Sequence, residues 1–281
     1  MNSLGFHCHA LDYLEEVILG NGLRRGEFYN FPPQDIPALK EKIRQYKLIT
    51  SVHAPLVKPE WYPNPPTWSF LCYQDEEKRQ LSLRMIQETM ELAQDLGAEY
   101  VVVHFPAPSE EENSDPDRLF EIAWDTARRL SGLAQRYQLP IHMEGFSRSL
   151  FLTPEFLIQV ITQLPGLLYC FDTGHMHIAA QQDGFDLYQF AEEIAPYVGS
   201  VHLWNNRGLK DYQVFRHIPV HPSQDPEEGW ADIERILREI TSRNSSCPII
   251  FESGYIYPPM LGRWDYRDGV RWVKGILAGL F

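Results

Sequence analysis

The stretch "LYCFDTGHMHI", residues 168–178, runs from an apolar, β-prone segment straight into a carboxylate and two histidines. Tyr169 and Phe171 suit a strand, Asp172 ends it, and Gly174 supports a turn into the next segment. The fold depends on how often the chain repeats this unit. Seven further runs of the same kind occur: "LGFHC" from residue 4, "EFYNF" from 27, "ITSVHA" from 49, "YVVVHF" from 100, "IHMEGF" from 141, "SVHLW" from 200 and "PIIFES" from 248.

Amphipathic segments separate these runs. Over 75–97, Leu81, Met85, Leu92 and Leu96 recur on one side and Gly97 supplies a stop. Over 115–137, Asp115 and Pro116 open a helix whose buried stripe is Leu119, Ile122, Ala123, Thr126, Leu130 and Leu133. Shorter helices fit 34–46, 153–164, 185–197, 229–243 and 266–279. Strand and helix alternating in this way predict an α/β protein: one (β/α)8 barrel domain spanning residues 1–281. Two connections, 54–73 and 205–228, are too long for simple turns. Both follow a strand and are expected at the C-terminal mouth, the first as a mobile lid or a packed, proline-stiffened cover.

Composition removes several function classes. The 281 residues carry 25 Lys and Arg against 38 Asp and Glu, a net charge of −13 that disfavours nucleic acid and anionic membranes. No uninterrupted apolar run approaches the roughly 18 residues of a membrane span, and the first residues lack a charged leader followed by an apolar stretch. Cys8, Cys72, Cys170 and Cys247 have no paired spacing, so zinc-ribbon and CxxC redox motifs are absent. Four reduced cysteines and no leader read as a cytoplasmic protein.

Six ionisable residues end six different expected strands: His53, His104, Glu144, Asp172, His202 and Glu252. In a parallel barrel such ends converge on one mouth. Carboxylates brought that close repel one another unless protons or cations compensate them, and no Lys or Arg occupies these strand ends. A divalent metal answers this most simply. Imidazole and carboxylate without thiolate suit Zn or Mn first, with Co, Fe or Mg as further choices. Glu144, Asp172, His202 and Glu252 are the expected ligands of one ion, with positions left open for substrate or water. His175, three residues after Asp172, can face the same cavity; His177, two residues further, turns elsewhere to packing or helix-start hydrogen bonds. His142 shares the parity of Glu144 one layer deeper and is expected in the core.

The segments "SVHAPL", "VVVHF", "HMEGF", "FDTGH", "VHLWNN" and "FES", in this order, resemble the xylose isomerase-like TIM barrels, which include sugar isomerases, epimerases and the endonuclease IV group. The resemblance implies that Glu144, Asp172, His202 and Glu252 match the epimerases' metal tetrad. It also implies that His53, His104, His175 and His217 match the additional metal ligands of the nuclease group. A departure is visible at Phe215, Arg216 and His217, where that group carries an Asp-x-His element; a third ion lacks its carboxylate here.

The expectation is a metal-dependent isomerase or epimerase of a sugar or polyol. Glu144 and Glu252 exchange the proton next to a carbonyl, and Arg207, Arg216 and Trp204 contact substrate. The alternatives are a metallo-hydrolase acting on a phosphate ester and a sugar-binding protein with an inactive site. Self-association into homo-oligomers is compatible with all three.

Overall fold

A computed structural model describes residues 3–106, 115–145, 149, 151–254, 256–262 and 264–279. Phe146, the last residue of the fifth expected strand run, lies outside them, as do the two residues at each end of the chain. The strands are β1 (Leu4–Cys8), β2 (Arg25–Phe28), β3 (Ile49–His53), β4 (Val101–His104), β5 (Ile141–Glu144), β6 (Leu167–Asp172), β7 (Val198–Leu203) and β8 (Ile249–Phe251). The helices are α1 (Leu11–Leu14), α2 (Ile36–Tyr46), α3 (Glu76–Asp95), α4 (Pro116–Tyr137) and α5 (Pro154–Gln163), then α6 (Thr173–Asp183), α7 (Leu187–Ile194), α8 (Leu209–Phe215), α9 (Ile233–Arg243) and α10 (Tyr266–Gly279). Each strand pairs in parallel with the next, and β8 returns to β1 through Leu4↔Ile249, Gly5↔Ile250 and Phe6↔Phe251. The result is a closed (β/α)8 barrel, as the alternation requires, because parallel neighbours need a crossover between them.

Alternation along each strand decides what faces where. In β5, Ile141 and Met143 join the core packed under the helices, so His142 and Glu144 take the opposite face. Laterally paired residues share a face, and the register carries this assignment round the ring. His104 lies beside Glu144, Asp172 beside His202, and Glu27 beside both His7 and Ser51. Barrel interiors are usually filled by branched aliphatic side chains. Here the apolar share is small, the cluster of Tyr100, Val102 and Cys170 with Ile250 beside His202 and Leu168 beside His142, and most of the other inward side chains are polar. Arg25 pairs with Glu99 at 2.8 Å, the Tyr100 and His142 rings stack at 4.0 Å, and the Ser51 hydroxyl donates to Glu27 at 3.1 Å.

Three elements differ from expectation. β2 begins at Arg25 rather than Glu27, because pairing of Arg25 with Ile49 and Gly5 sets its register against the weak strand propensity of "RG". That places Glu27 inside the barrel. Residues 11–19 form α1 and a π-helical turn, Glu15–Leu19, which together bury Leu14, Val17 and Ile18. The 205–228 connection contains α8 and an antiparallel bridge, Asn205↔Ile218, braced by the Asn205 amide on Gln224 and on the Ala231 carbonyl.

The 54–73 connection is the packed cover. Tyr62, Phe70, Leu71, Cys72 and Tyr73 are buried; the Phe70 N–H donates to Ser82 on α3, and Thr126 on α4 donates to the Leu71 carbonyl. Among the described residues no helix is long and apolar enough to cross a membrane.

Candidate metal centre

The strand ends bring ionisable side chains into one cluster at the mouth. One ligand atom each from His53, Glu144, His202 and Glu252 lie within 4.8 Å of one another. Glu144, Asp172 and His175 form a second group by the same measure, so Glu144 is common to both. His53 Nε2 stands 3.1 Å and His104 Nε2 3.3 Å from Glu144 Oε2. His202 Nδ1 stands 3.4 Å from Glu144 Oε2 and 3.2 Å from Glu252 Oε2.

The outer nitrogens fix how these rings point. His53 Nδ1 donates to the Ala54 carbonyl at 3.1 Å, and His104 Nδ1 donates to the Thr67 carbonyl at 2.7 Å. Carbonyl oxygens only accept, so each ring keeps its proton on Nδ1 and turns Nε2 toward the same carboxylate oxygen. The packed 54–73 cover therefore has a second effect: it orients His104. His217 Nδ1 likewise donates to the Glu252 carbonyl at 2.7 Å.

Asp172 is held differently. It caps α6, accepting the His175 N–H at 2.6 Å, and its other oxygen accepts the Trp204 indole N–H at 2.8 Å. His175 is buried in the cluster. His177 turns away, with Nδ1 donating to the Asn206 carbonyl at 3.1 Å and Nε2 accepting from Gln181 at 3.0 Å. The two-residue spacing separates the two rings in the way the helical geometry demands.

The electrostatics set opposing demands. Burial opposes ionisation of Glu144 and Glu252. Even so, His202, with His104 beside Glu144 and His217 beside Glu252, holds both carboxyls well below the usual carboxylate range. Burial, with the charges of Glu252 and Glu144, pushes Asp172 well above it. Several buried polar atoms have no hydrogen-bond partner: Glu144 Oε1, Glu252 Oε2, both nitrogens of His202, and Glu27 Oε1. Of these, Glu144, Glu252 and the Nδ1 edge of His202 belong to one group with His53, and unpartnered oxygen and nitrogen donors so gathered fit a divalent cation, for which they are the right donor type.

Beyond the strand ends a cavity of about 840 Å³ is lined by His7, Asp12, Arg216, His217 and Glu252, among others. Arg216 is the one expected substrate contact placed there. Arg207 lies elsewhere: just before α8, its guanidinium pairs with Asp211 in the first turn of that helix at 2.7 Å and sits over the Trp230 ring. Trp204 has a packing role. It is fully buried, stacks on His217 at 4.1 Å and donates to Asp172, so its indole packs beside the ligand residues as a support.

Two residues escape a strand-end reading. Glu27, fully buried on β2, approaches His202 Nε2 to 2.7 Å, although the contact lies off the ring's N–H direction. His7 on β1 stacks on Tyr29 at 5.0 Å and meets the His53 ring at 5.4 Å. The available signal was an ionisable residue between apolar neighbours within a strand, as in "FHC".

The fold and this ligand-rich mouth define the class, and the family model agrees. The chain belongs to the xylose isomerase-like TIM barrel family, whose model matches residues 4–276. Uncharacterized protein MJ1311 of Methanocaldococcus jannaschii is 26% identical over 184 residues, covering 64% of this chain and 59% of that relative, so less than two thirds of its length is spanned. Among solved structures, a D-tagatose 3-epimerase-like protein superposes with a TM-score of 0.74 at 19% identity, covering 99% of this chain and 98% of that one. The IOLI protein with a bound zinc atom superposes with a TM-score of 0.70 at 15% identity, covering 99% and 97%. At these identities the likeness is one of fold.

Proposed function

We propose that this protein is a metal-dependent isomerase or epimerase that moves the proton on a carbon next to the carbonyl of a sugar or polyol. One observation carries the reading: two carboxylates, the buried Glu144 and the partly buried Glu252 at the cavity, both held ionised and both within 3.4 Å of His202 Nδ1. The fold is shared with a D-tagatose 3-epimerase-like protein and with a zinc-bound IOLI protein, which supports a sugar-type substrate and a divalent ion. Zn or Mn best suits the mixed donors, held by Glu144, Asp172, His202 and Glu252. When bound, such an ion polarises the carbonyl and a neighbouring hydroxyl and so acidifies the adjacent C–H.

The remaining chemistry belongs to the carboxylates. Glu252 lines the cavity and takes the proton from carbon, while the C–H electron pair moves into the carbonyl to give an enediolate. Glu144, ionised at rest, takes a proton from the imidazolium form of His53, whose Nε2 lies 3.1 Å from Glu144 Oε2 and whose pKa is raised from its ordinary value, and delivers it to carbon. Delivery to the opposite face of the same carbon gives the epimer, and delivery to the neighbouring carbon gives the isomer.

A second reading has its own support. His53 and His104 both aim Nε2 at Glu144 Oε2, an arrangement that suits a second ion sharing Glu144 and a hydrolytic reaction on a phosphate ester. The net charge of −13 weighs against a polyanionic substrate.

Elemental analysis of the purified protein, combined with ketoses, inosose-like polyols and phosphodiesters as substrates, separates the two. Glu252→Gln is expected to lower exchange of the substrate C–H with deuterated solvent by about 10² to 10⁴ and to weaken metal retention. Full metal and full exchange in that variant would overturn Glu252 as the base.

A further inference from the structure

We infer that Glu27 is a positioning residue for His202: it takes the Nε2 edge of the ring and so commits Nδ1 to the metal. The inference rests on the proposed metal centre. His202 is fully buried and lies between two sets of anions. Glu27 Oε1 is 2.7 Å from Nε2 on one edge, while Glu144 and Glu252 are 3.4 and 3.2 Å from Nδ1 on the other. A ring that gives Nδ1 to a cation carries its remaining proton on Nε2, and that proton needs an acceptor. Glu27 Oε1 is 2.7 Å away, though off the ring's N–H direction, and has no hydrogen-bond partner.

Glu27 is itself anchored. Its second oxygen accepts the Ser51 hydroxyl at 3.1 Å, and its backbone is locked by pairing with His7 on one side and Ser51 on the other. Among the described residues its ion pair is with His202. A fully buried carboxylate is costly to keep unless a specific partner compensates it. The arrangement repeats what the carbonyls of Ala54 and Thr67 do for His53 and His104, with two differences: the outer partner is anionic, and the nitrogen turned to the centre is Nδ1.

The test uses zinc-loaded protein and reads binding and spectroscopy rather than turnover. In the wild type, ¹⁵N spectra should show His202 bound through Nδ1 and protonated at Nε2, with assignment from the resonances lost in His202→Gln. Glu27→Ala should weaken zinc binding by calorimetry about 10- to 100-fold. Glu27→Gln keeps an acceptor oxygen and the side-chain shape, so it should restore most of that affinity while shifting the Nε2 proton upfield. Circular dichroism confirms that each variant folds, and if Glu27→Ala does not, the Nε2 proton shift in Glu27→Gln decides alone. Wild-type zinc affinity in Glu27→Ala, an unmoved Nε2 proton in Glu27→Gln, or zinc on Nε2 in the wild type would overturn the role of Glu27 and leave the centre standing. A wild-type protein that takes up no zinc or manganese would overturn the centre and the inference together.

Discussion

Replacing Gly174 with alanine probes how Asp172 is held. A Cβ at Gly174 falls 2.2, 2.3 and 2.4 Å from three indole carbons of Trp204. Ordinary carbon contacts are about 3.5 to 4.0 Å, so the indole must retreat by more than about 1 Å. It has little freedom to do so. The Thr173 hydroxyl bonds both the Trp204 carbonyl, at 2.6 Å, and its N–H, at 3.2 Å, and His217 stacks on the ring. Retreat therefore means losing the 2.8 Å bond from the indole N–H to Asp172. Overpacking of this kind costs about 1 to 3 kcal/mol, and an unsatisfied buried acceptor about 1 to 3 more. The expected loss is about 2 to 6 kcal/mol, or roughly 4 to 24 °C in Tm for a chain of this size. Zinc affinity should fall as well, because Asp172 loses one of its two supports. Gly132→Ala is the control: nothing lies within 4 Å of a Cβ there, so it should be neutral or stabilising by about 0.5 to 1 kcal/mol. Calorimetric melting and zinc titration supply the readings. Gly174→Ala with unchanged Tm and unchanged affinity would refute the claim that Trp204 braces the centre.

His177→Ala should leave metal content intact and cost on the order of 1 kcal/mol, since both ring nitrogens bond to Asn206 and Gln181 outside the cluster. Loss of metal in that variant would mean that His177 and His175 have been assigned the wrong way round. Burial lowers His142 from 6.5 to about 3, where it stacks on Tyr100 and meets the Ser200 hydroxyl at 2.9 Å. The unfolded chain therefore takes up this proton first as pH falls, and stability is lost from about pH 6.5 down to about 3. At pH 5 the loss is roughly 2 kcal/mol, from 1.36 kcal/mol per unit. Urea unfolding at pH 7.5 and 5.0 should show a smaller pH dependence in His142→Gln than in the wild type, and equal dependence would count against the assignment.

What the chain reveals by itself is what depends on neighbours in sequence. The period of two in "YVVVHF", the helical stripe after Asp115 and Pro116, and the capping aspartates are local patterns, and they locate the strands and the major helices. The ionisable residues at the ends of six of those runs already imply a crowded, polar mouth once a parallel barrel is drawn. Local pattern could not supply the register of β2, which depends on Ile49 and Gly5 from other strands and which turns Glu27 inward. Nor could it show that Arg207 is captured by Asp211, or that Trp204 packs beside Asp172 with no room for a methyl group at Gly174. The orientation of His104 by Thr67, 37 residues earlier in the chain, is equally non-local. Closure of the barrel decides these features, because residues from distant segments must share one small, dry volume. There the partner of a buried charge is whatever the register places within hydrogen-bonding distance.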